Sequence, residues 1–316
     1  MRRALHALLA GVLLARFSAE GSEVRLSFLT DDSVLRDTLE MLRRSGCRED
    51  SVTAFRKIVA QHNATPVEVP FSNLPIIRDG FFSFESAPRL VSALEHRLSD
   101  DIMHRYDFNC IDTVILLGDG LLRNRLRPDD NFGPFLVLQP QTNDLAALRL
   151  AATASDAFTT FYPPWYLETT KGTMKESMQA DRVCLTAALF SCHLLPKSTS
   201  EQGLNKAVLN ALSGSWRHQG FKFPSKFEVV LVHGVNYSGK MVVTFHSGLL
   251  FSRKRGYTYL EKAGGKGPFV RLDFEARTDL TTWLAAMSQG AENMANYTHR
   301  LATFNDKRIE SLDVKP

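Results

Sequence analysis

From Phe227 onward the apolar pattern changes from helical to alternating, and this change constrains the fold more than any other feature. The alternating runs cover residues 227–235, 240–251, 257–262 and 268–274. Side chains alternate between the two faces of a strand, so such runs, joined by short turns, predict antiparallel pairing. We therefore expect a four-stranded antiparallel meander in the C-terminal third.

Upstream of Phe227 the apolar residues recur with the spacing of amphipathic helices. Capping residues and glycines delimit predicted helices at residues 34–44, 51–63, 87–99, 143–157, 180–195 and 203–220, with a further helix at 278–287. Residues 24–28 are either a short strand or an extended lead-in. This order, N-terminal helices followed by a C-terminal antiparallel sheet, favours an α+β protein over alternating βαβ units.

No repeat and no low-complexity linker divides the chain, so we expect one domain over residues 22–304. Its helical part is predicted at about residues 31–220 and its sheet at about 227–288. Residues 305–316 show no periodic pattern and are predicted to be a frayed tail.

The N-terminus has the order of segments that is typical of a secretory signal peptide. Two arginines precede an apolar run at residues 4–15, and small residues follow up to Gly21. We expect residues 1–21 to be removed and the mature chain to be exported, to the periplasm or the extracellular space. An uncleaved start or a signal anchor is the alternative. No later run reaches the roughly 18 apolar residues of a spanning helix, so no membrane-embedded segment is expected in the mature chain.

The charge of the chain argues against a nucleic-acid partner. Loss of residues 1–21 removes three arginines and one glutamate, which lowers the formal charge from +4 to +2. The remaining lysines and arginines are dispersed, and the basic run at residues 253–255 is too short for a phosphate-binding stripe.

The four cysteines are too few for a disulfide scaffold in an exported chain of this length. Cys184 and Cys192 are expected on one helix, about 12 Å apart, which is too far for a disulfide. Cys47 falls in the turn between two helices and is expected to be exposed or to be a bystander to the chemistry. The sequence has no Cys-x-x-Cys motif and no histidine-rich cluster, so neither a metal nor a cofactor is expected.

Cys110 is the candidate nucleophile, because it stands at the predicted first turn of an apolar helix. Asp107 or Asn109 can cap the helix start, and the apolar residues from Ile111 to Leu117 bury the helix. The aligned peptide dipoles and free N–H groups of a helix start stabilise a thiolate and lower the pKa of the thiol. The structural alternative is a buried cysteine that packs like a small apolar residue.

His246 and Glu261 complete a candidate catalytic set with Cys110. The histidine lies 136 residues after the cysteine, and the glutamate 15 residues further on, in the next predicted strand. Papain-like enzymes place their histidine and its orienting partner about 130–150 residues after the cysteine. The imidazole takes the thiol proton, and the third side chain fixes the ring and favours its protonated form. We expect Glu261 rather than Asp273 in this third role, because Asp273 lies one strand further on.

Four groups near this set are predicted to contact the substrate or its developing oxyanion. They are the backbone N–H of Cys110 and the side chains of Asn109, Tyr106 and Tyr259.

Several short motifs carry a resemblance to a known family. They are Asn109-Cys110 with Thr113, Trp216-x-x-x-Gly220, His246-Ser247-Gly248, Leu260-Glu261-Lys262 with Pro268-Phe269, and Arg277-x-Asp279-Leu280-x-x-x-Leu284. Over about residues 39–287 the chain resembles an exported bacterial family catalogued as domain of unknown function forty-three hundred. It departs from that pattern at Ile111, where an arginine is usual, and in a longer segment at residues 125–181. These departures bear on substrate specificity.

The Cys, His and Glu order of that family in turn resembles the papain-like fold of bacterial cell-wall amidases and endopeptidases. The resemblance implies a papain-like cysteine hydrolase core that cleaves an amide or related acyl bond in a peptide or cell-wall-derived substrate. Two alternatives remain open. The chain is a non-catalytic binding module that presents the aromatic segment at residues 158–166, or Cys184, 62 residues before His246, is the nucleophile.

Overall fold

The computed structural model describes residues 23–63, 76–94, 110–125, 185, 188–189, 192–263, 268–288 and 297–313. Within these residues the helices are α1 (Asp32–Arg44), α2 (Glu49–Asn63), α3 (Ala87–Ala93), α4 (Cys110–Leu117), α5 (Leu204–His218) and α6 (Arg277–Ser288). The strands are β1 (Val24–Ser27), β2 (Ile76–Arg78), β3 (Phe81–Phe84), β4 (Cys192–Leu194), β5 (Glu228–Asn236), β6 (Met241–Ser252), β7 (Tyr257–Lys262), β8 (Phe269–Phe274), β9 (His299–Phe304) and β10 (Arg308–Ser311). Helices and a large antiparallel sheet make this an α+β fold.

The strands join in one sheet with the order β10-β9-β5-β6-β7-β8-β1-β3-β2, and β4 pairs with β6 beside this path. The predicted meander is confirmed, because β5, β6, β7 and β8 are consecutive antiparallel neighbours. The predicted helices that became α1, α2, α5 and α6 are confirmed to within two residues at each end.

The predicted separation of helices from sheet is wrong in part. Strand β1 pairs with both β8 and β3, so N-terminal residues extend the sheet beyond the meander. The predicted tail is also wrong, because β10 forms a hairpin with β9, which in turn pairs with β5. Residues 192–194, predicted at the end of a helix, form β4 instead, so the helix argument about Cys184 and Cys192 does not hold.

Cys47 is buried, contrary to the expected exposure, because of the way α1 ends. Gly46 adopts a left-handed conformation with φ +88°, and the Cys47 backbone N–H donates to the Leu42 carbonyl at 3.1 Å. This is a Schellman ending, which turns the second residue after the cap back onto the last turn of the helix. The Cys47 side chain therefore joins the core beside Leu42 and is 6% exposed.

The two faces of the sheet carry separate apolar cores. Side chains of α1, α2, α4 and α5 pack with Leu249 and Phe251 in one cluster. Side chains of α3 and α6 pack with Leu250 and Tyr259 in the other. Alternate residues of β6 thus enter opposite cores, which buries the middle of the sheet on both faces. No helix in the described part of the chain is long and apolar enough to span a bilayer.

Candidate active site

Helix α4 brings Cys110 to the sheet. It packs against β6 and β7, and its residues from Asp112 to Leu117 are all buried. The apolar run thus anchors the helix in the core, and Cys110, its first residue, is 5% exposed. The helix ends at Leu117, and Gly118 follows it.

In the described structure, strand β6 has no strand partner along part of one edge, and the N-terminus of α4 lies at this opening. Strand β5 occupies one edge of β6, while β4 and β7 share the other edge. Strand β4 pairs with residues 241–243 and β7 with residues 248–252, so residues 244–247 have no strand partner on that edge in the described structure. A β-bulge falls in the same place, because Val232 pairs with His246 and His233 with Thr244. Such bulges re-aim side chains.

The three predicted catalytic residues meet at this opening. The Cys110 thiol lies within hydrogen-bonding reach of His246 and of the backbone N–H of Ser247. On the other side of the imidazole, Nε2 of His246 lies 2.5 Å from Oε2 of Glu261. Since Nε2 is taken by the carboxylate, Nδ1 is the ring nitrogen left to face the thiol. The expected contact between Glu261 and His246 is therefore confirmed.

Charges inside the site favour a thiolate beside an imidazolium. Burial alone would raise the pKa of Cys110, but the charge and hydrogen bond of His246, with help from Ser247, lower it below the usual value of a thiol. Burial alone would lower the pKa of His246, but the Glu261 carboxylate and the Cys110 thiolate raise it to about 10. Each charged group therefore stabilises the other, which favours the thiolate–imidazolium pair over the neutral pair.

Glu261 is itself held by two donors. It is 1% exposed, and its Oε1 accepts the indole N–H of Trp283 at 2.8 Å while Oε2 faces the imidazole. Asp273, the rejected alternative, accepts hydrogen bonds from Thr258 and from three arginines on β8, β1 and the turn after β6. None of the hydrogen bonds that the described residues make with Asp273 comes from His246. Glu261 thus interacts with His246 of the candidate catalytic set, and Asp273 with a separate cluster of arginines.

Tyr259 is completely buried next to Glu261. Burial and the charges of Glu261 and Cys110 raise the pKa of its hydroxyl well above the usual value, so the phenol stays neutral. The hydroxyl makes no hydrogen bond of normal distance and angle with any described residue. Its predicted contact with substrate stays a prediction, while its burial favours an interior role beside the carboxylate.

The ring of Tyr259 fits over the backbone of Gly248, and this contact predicts a substitution effect. A Cβ added at Gly248 would lie 2.3 Å from the Tyr259 hydroxyl oxygen and 2.4 Å from Cζ. We expect Gly248→Ala to lower the free energy of unfolding by about 1–3 kcal/mol, since the core must shift to admit the methyl group. Urea unfolding measures the change.

Gly214→Ala is the matched control, because a Cβ added at Gly214 in α5 meets nothing within 4 Å. It should stabilise the helix by up to about 1 kcal/mol. Equal unfolding free energies for the two variants would contradict the tight contact between Gly248 and Tyr259.

Other predicted site residues lie outside the described residues. These are Tyr106, Asn109, the aromatic segment at residues 158–166 and Cys184. Sequence reasoning missed two described residues that touch the set, namely Trp283 and the backbone of Ser247. The apolar spacing of α6 predicts a buried Trp283, but no sequence signal distinguishes an indole that packs from one that also donates to a carboxylate.

No family model matches this sequence, and no curated protein or solved structure matches it either. The resemblance to an exported bacterial family and to papain-like enzymes therefore stays a prediction from the residues. Among the described residues, no three His, Cys, Asp or Glu side chains are grouped to hold a metal ion.

Proposed function

We propose that this chain is a cysteine hydrolase that cleaves an amide or related acyl bond. The observation that carries the proposal is the hydrogen-bonded row of Cys110, His246 and Glu261, with a helix N-terminus under the thiol. A nucleophile, a base and a group that orients the base are what acyl transfer through a thioester needs.

The reaction follows from the charges of the pair. The Cys110 thiolate attacks the acyl carbon, and the imidazolium of His246 gives its proton to the leaving amine as the C–N bond breaks. The acyl group then forms a thioester with Sγ. The neutral imidazole takes a proton from water, the hydroxide oxygen adds to the thioester carbon, and the acid leaves as the thiolate reforms.

The negative charge on the carbonyl oxygen needs donors near the helix start. The backbone N–H of Cys110, at the first residue of α4, is free of an intrahelical partner by its position, and it is the proposed donor together with the Asn109 side chain. The Ser247 N–H has another task, because it donates to the sulfur and stabilises the thiolate before attack.

The arrangement of elements supports a papain-like core. The thiol stands at a helix start, the base on a central strand, and the orienting carboxylate on the antiparallel neighbour. The two imidazole nitrogens also have the reverse of their roles in serine proteases, where Nε2 faces the nucleophile. Export, with a cell-wall stem peptide as substrate, belongs to the same proposal and rests on the residues at the N-terminus and on the family resemblance.

One observation favours the alternative of a non-catalytic binding module. The Cys110 residue is 5% exposed and the His246 side chain 14% exposed, so the thiol presents little surface to a reagent. A structural cysteine would show similar burial. The ionisation of Cys110 distinguishes the hydrolase from the binding module, because a structural thiol in an apolar site has a raised pKa and stays protonated.

Alkylation of the thiols over a pH series tests the proposal. We expect iodoacetamide to label Cys110 at pH 6 much faster than Cys47, because burial raises the pKa of Cys47 to about 12. His246→Ala should slow the labelling of Cys110 at pH 6 by about tenfold or more, because it removes the neighbouring positive charge. Mass spectrometry of the adducts identifies each cysteine.

The pH dependence of the alkylation rate decides the test, rather than the rate itself, because access to the sulfur does not change the apparent pKa of Cys110. Hydrolysis should fall on the acid side as the thiolate takes up a proton, and on the alkaline side near pH 10 as His246 loses its proton. If the Cys110 profile matches that of an unperturbed thiol in both the parent and the His246→Ala variant, the binding-module function replaces the hydrolase.

A further inference from the structure

The carboxylate that orients His246 has a second partner on another element. Helix α6 places the indole of Trp283, 1% exposed, against β7, where its Nε1–H donates to Oε1 of Glu261 at 2.8 Å. The other oxygen, Oε2, faces Nε2 of His246 at 2.5 Å. Each carboxylate oxygen thus has its own N–H partner, and the carboxylate plane is fixed at both ends.

The chemistry of the indole suits this position. An indole N–H donates, never accepts, and does not ionise near neutral pH, so it favours the charged form of the carboxylate under all physiological conditions. A buried carboxylate without such donors takes up a proton, since burial penalises the charge. The indole N–H of Trp283 offsets part of that penalty at Oε1 of Glu261 and holds the carboxylate in place.

We propose that Trp283 is a positioning residue of the catalytic set: its indole N–H holds the Glu261 carboxylate aimed at His246, and through them it stabilises the thiolate of Cys110. The row of side chains then has four members, Cys110, His246, Glu261 and Trp283. This inference rests on the proposed function for its consequence in catalysis, while its physical content is a property of the folded protein.

The titratable side chains that interact with one another in this part of the described structure are Cys110 on α4, His246 on β6, and Glu261 and Tyr259 on β7. The neutral hydroxyl of Tyr259 lies beside Glu261 but makes no hydrogen bond of normal distance and angle with a described residue. It therefore does not take the place of the Trp283 indole as a donor to the carboxylate.

The test substitutes Trp283→Phe in the mature full chain and follows the alkylation of Cys110 by iodoacetamide from pH 5 to pH 9. We expect the rate at pH 6 to fall about tenfold, with the whole profile moved to higher pH, because a hydrogen bond to a charged group is lost in a buried site. Titration of His246 by NMR should show loss of the imidazole proton at lower pH than in the parent.

Trp216→Phe is the matched control. Trp216 is also 1% exposed, and its indole N–H donates at 2.9 Å to a backbone carbonyl, that of Ala188, rather than to Glu261. Both substitutions remove an indole from a core and one N–H donor, so both reduce stability. Only the Trp283 variant should move the Cys110 profile.

A double-mutant cycle with Glu261→Gln identifies the route of the effect. If Trp283 acts through the carboxylate, Trp283→Phe should change the Cys110 profile in the parent but not in the Glu261→Gln background. A second version of the test replaces Trp283 by benzothienylalanine, in which sulfur takes the place of the N–H. This change keeps the shape of the ring, so it remains informative should the phenylalanine variant fold poorly.

Three outcomes would overturn the role of Trp283: an unchanged His246 titration in both Trp283 variants, a shift of equal size in Trp216→Phe, or an undiminished effect in the Glu261→Gln background. Failure of the proposed function looks different, since the parent protein would then hydrolyse no acyl probe while the NMR titration still responds to Trp283.

Discussion

Serine in place of Cys110 is expected to lower the rate of acyl-bond hydrolysis at least about 10³-fold, because loss of a catalytic nucleophile has effects of this order or larger. The hydroxyl of serine stays protonated beside His246, whereas the charge and hydrogen bond of His246 lower the pKa of the thiol against the effect of burial. The measurement is turnover of a 4-nitrophenyl ester and of a mixture of cell-wall stem peptides. Mass spectrometry should detect an acyl group on Cys110 of the parent and none on the variant.

Graded substitutions distinguish a catalytic set from a merely reactive thiol. Glu261→Gln should lower turnover less than Cys110→Ser, because glutamine keeps an oxygen for the Trp283 N–H and leaves the nucleophile in place. Cys47→Ser is the control for loss of a buried thiol, since Cys47 lies in the core away from the set and its pKa is raised to about 12. Turnover in Cys110→Ser equal to that in Cys47→Ser would remove Cys110 from the chemistry.

The local sequence pattern was sufficient to predict the long strands of the fold. The strands β5 and β6 are runs of nine and twelve residues rich in apolar side chains, with a four-residue turn between them, and such runs indicate strands. The short strands were harder, because β2 and β4 have three residues each and carry no period. The position of β4 depends on long-range pairing with β6, such as that of Cys192 with Val243, which no local window contains.

The choice between His233 and His246 shows what the spacing of residues along the chain adds to the apolar pattern. His233 and His246 stand on neighbouring strands in similar apolar surroundings, so composition alone does not separate them. In the structure, His233 is fixed between Thr244 and Thr303, and burial lowers its pKa to about 3, which keeps it neutral. His246 has a carboxylate and a thiol instead. The distances along the chain to Cys110 and Glu261 selected the charged histidine.

The parts of the site that sequence did not predict depend on how elements pack. The donation of Trp283 to Glu261 requires α6 to lie against β7, and the donation of Ser247 requires the opening between β4 and β7. The position of Cys47 is a different case, because Gly46 after the last turn of α1 is the usual residue of a Schellman ending. That signal was present in the sequence and predicts burial of the residue that follows.

The largest stability effect is expected from Asp273. Its carboxylate accepts hydrogen bonds from the guanidinium groups of Arg271 at 2.9 Å, Arg25 at 3.1 Å and Arg253 at 3.3 Å, and from Thr258 at 2.6 Å. The Arg271 side chain is 1% exposed, so its charge depends on nearby carboxylates for compensation. We expect Asp273→Asn to lower the free energy of unfolding by about 3–5 kcal/mol, as for other buried ion pairs that lose one partner. Urea unfolding of the protein measures it.

Two comparisons separate this cluster from ordinary surface charge. Glu49→Gln breaks the pair with Arg43, in which the Glu49 side chain is 63% exposed, and should cost less than about 1 kcal/mol because solvent screens the attraction. Joint replacement of Asp273 by leucine and Arg271 by methionine should recover much of the loss, since the penalty in Asp273→Asn comes from a buried charge without its partner. If Asp273→Asn costs no more than Glu49→Gln, Asp37, which accepts from Arg271 at 2.8 Å, is compensating the buried charge alone.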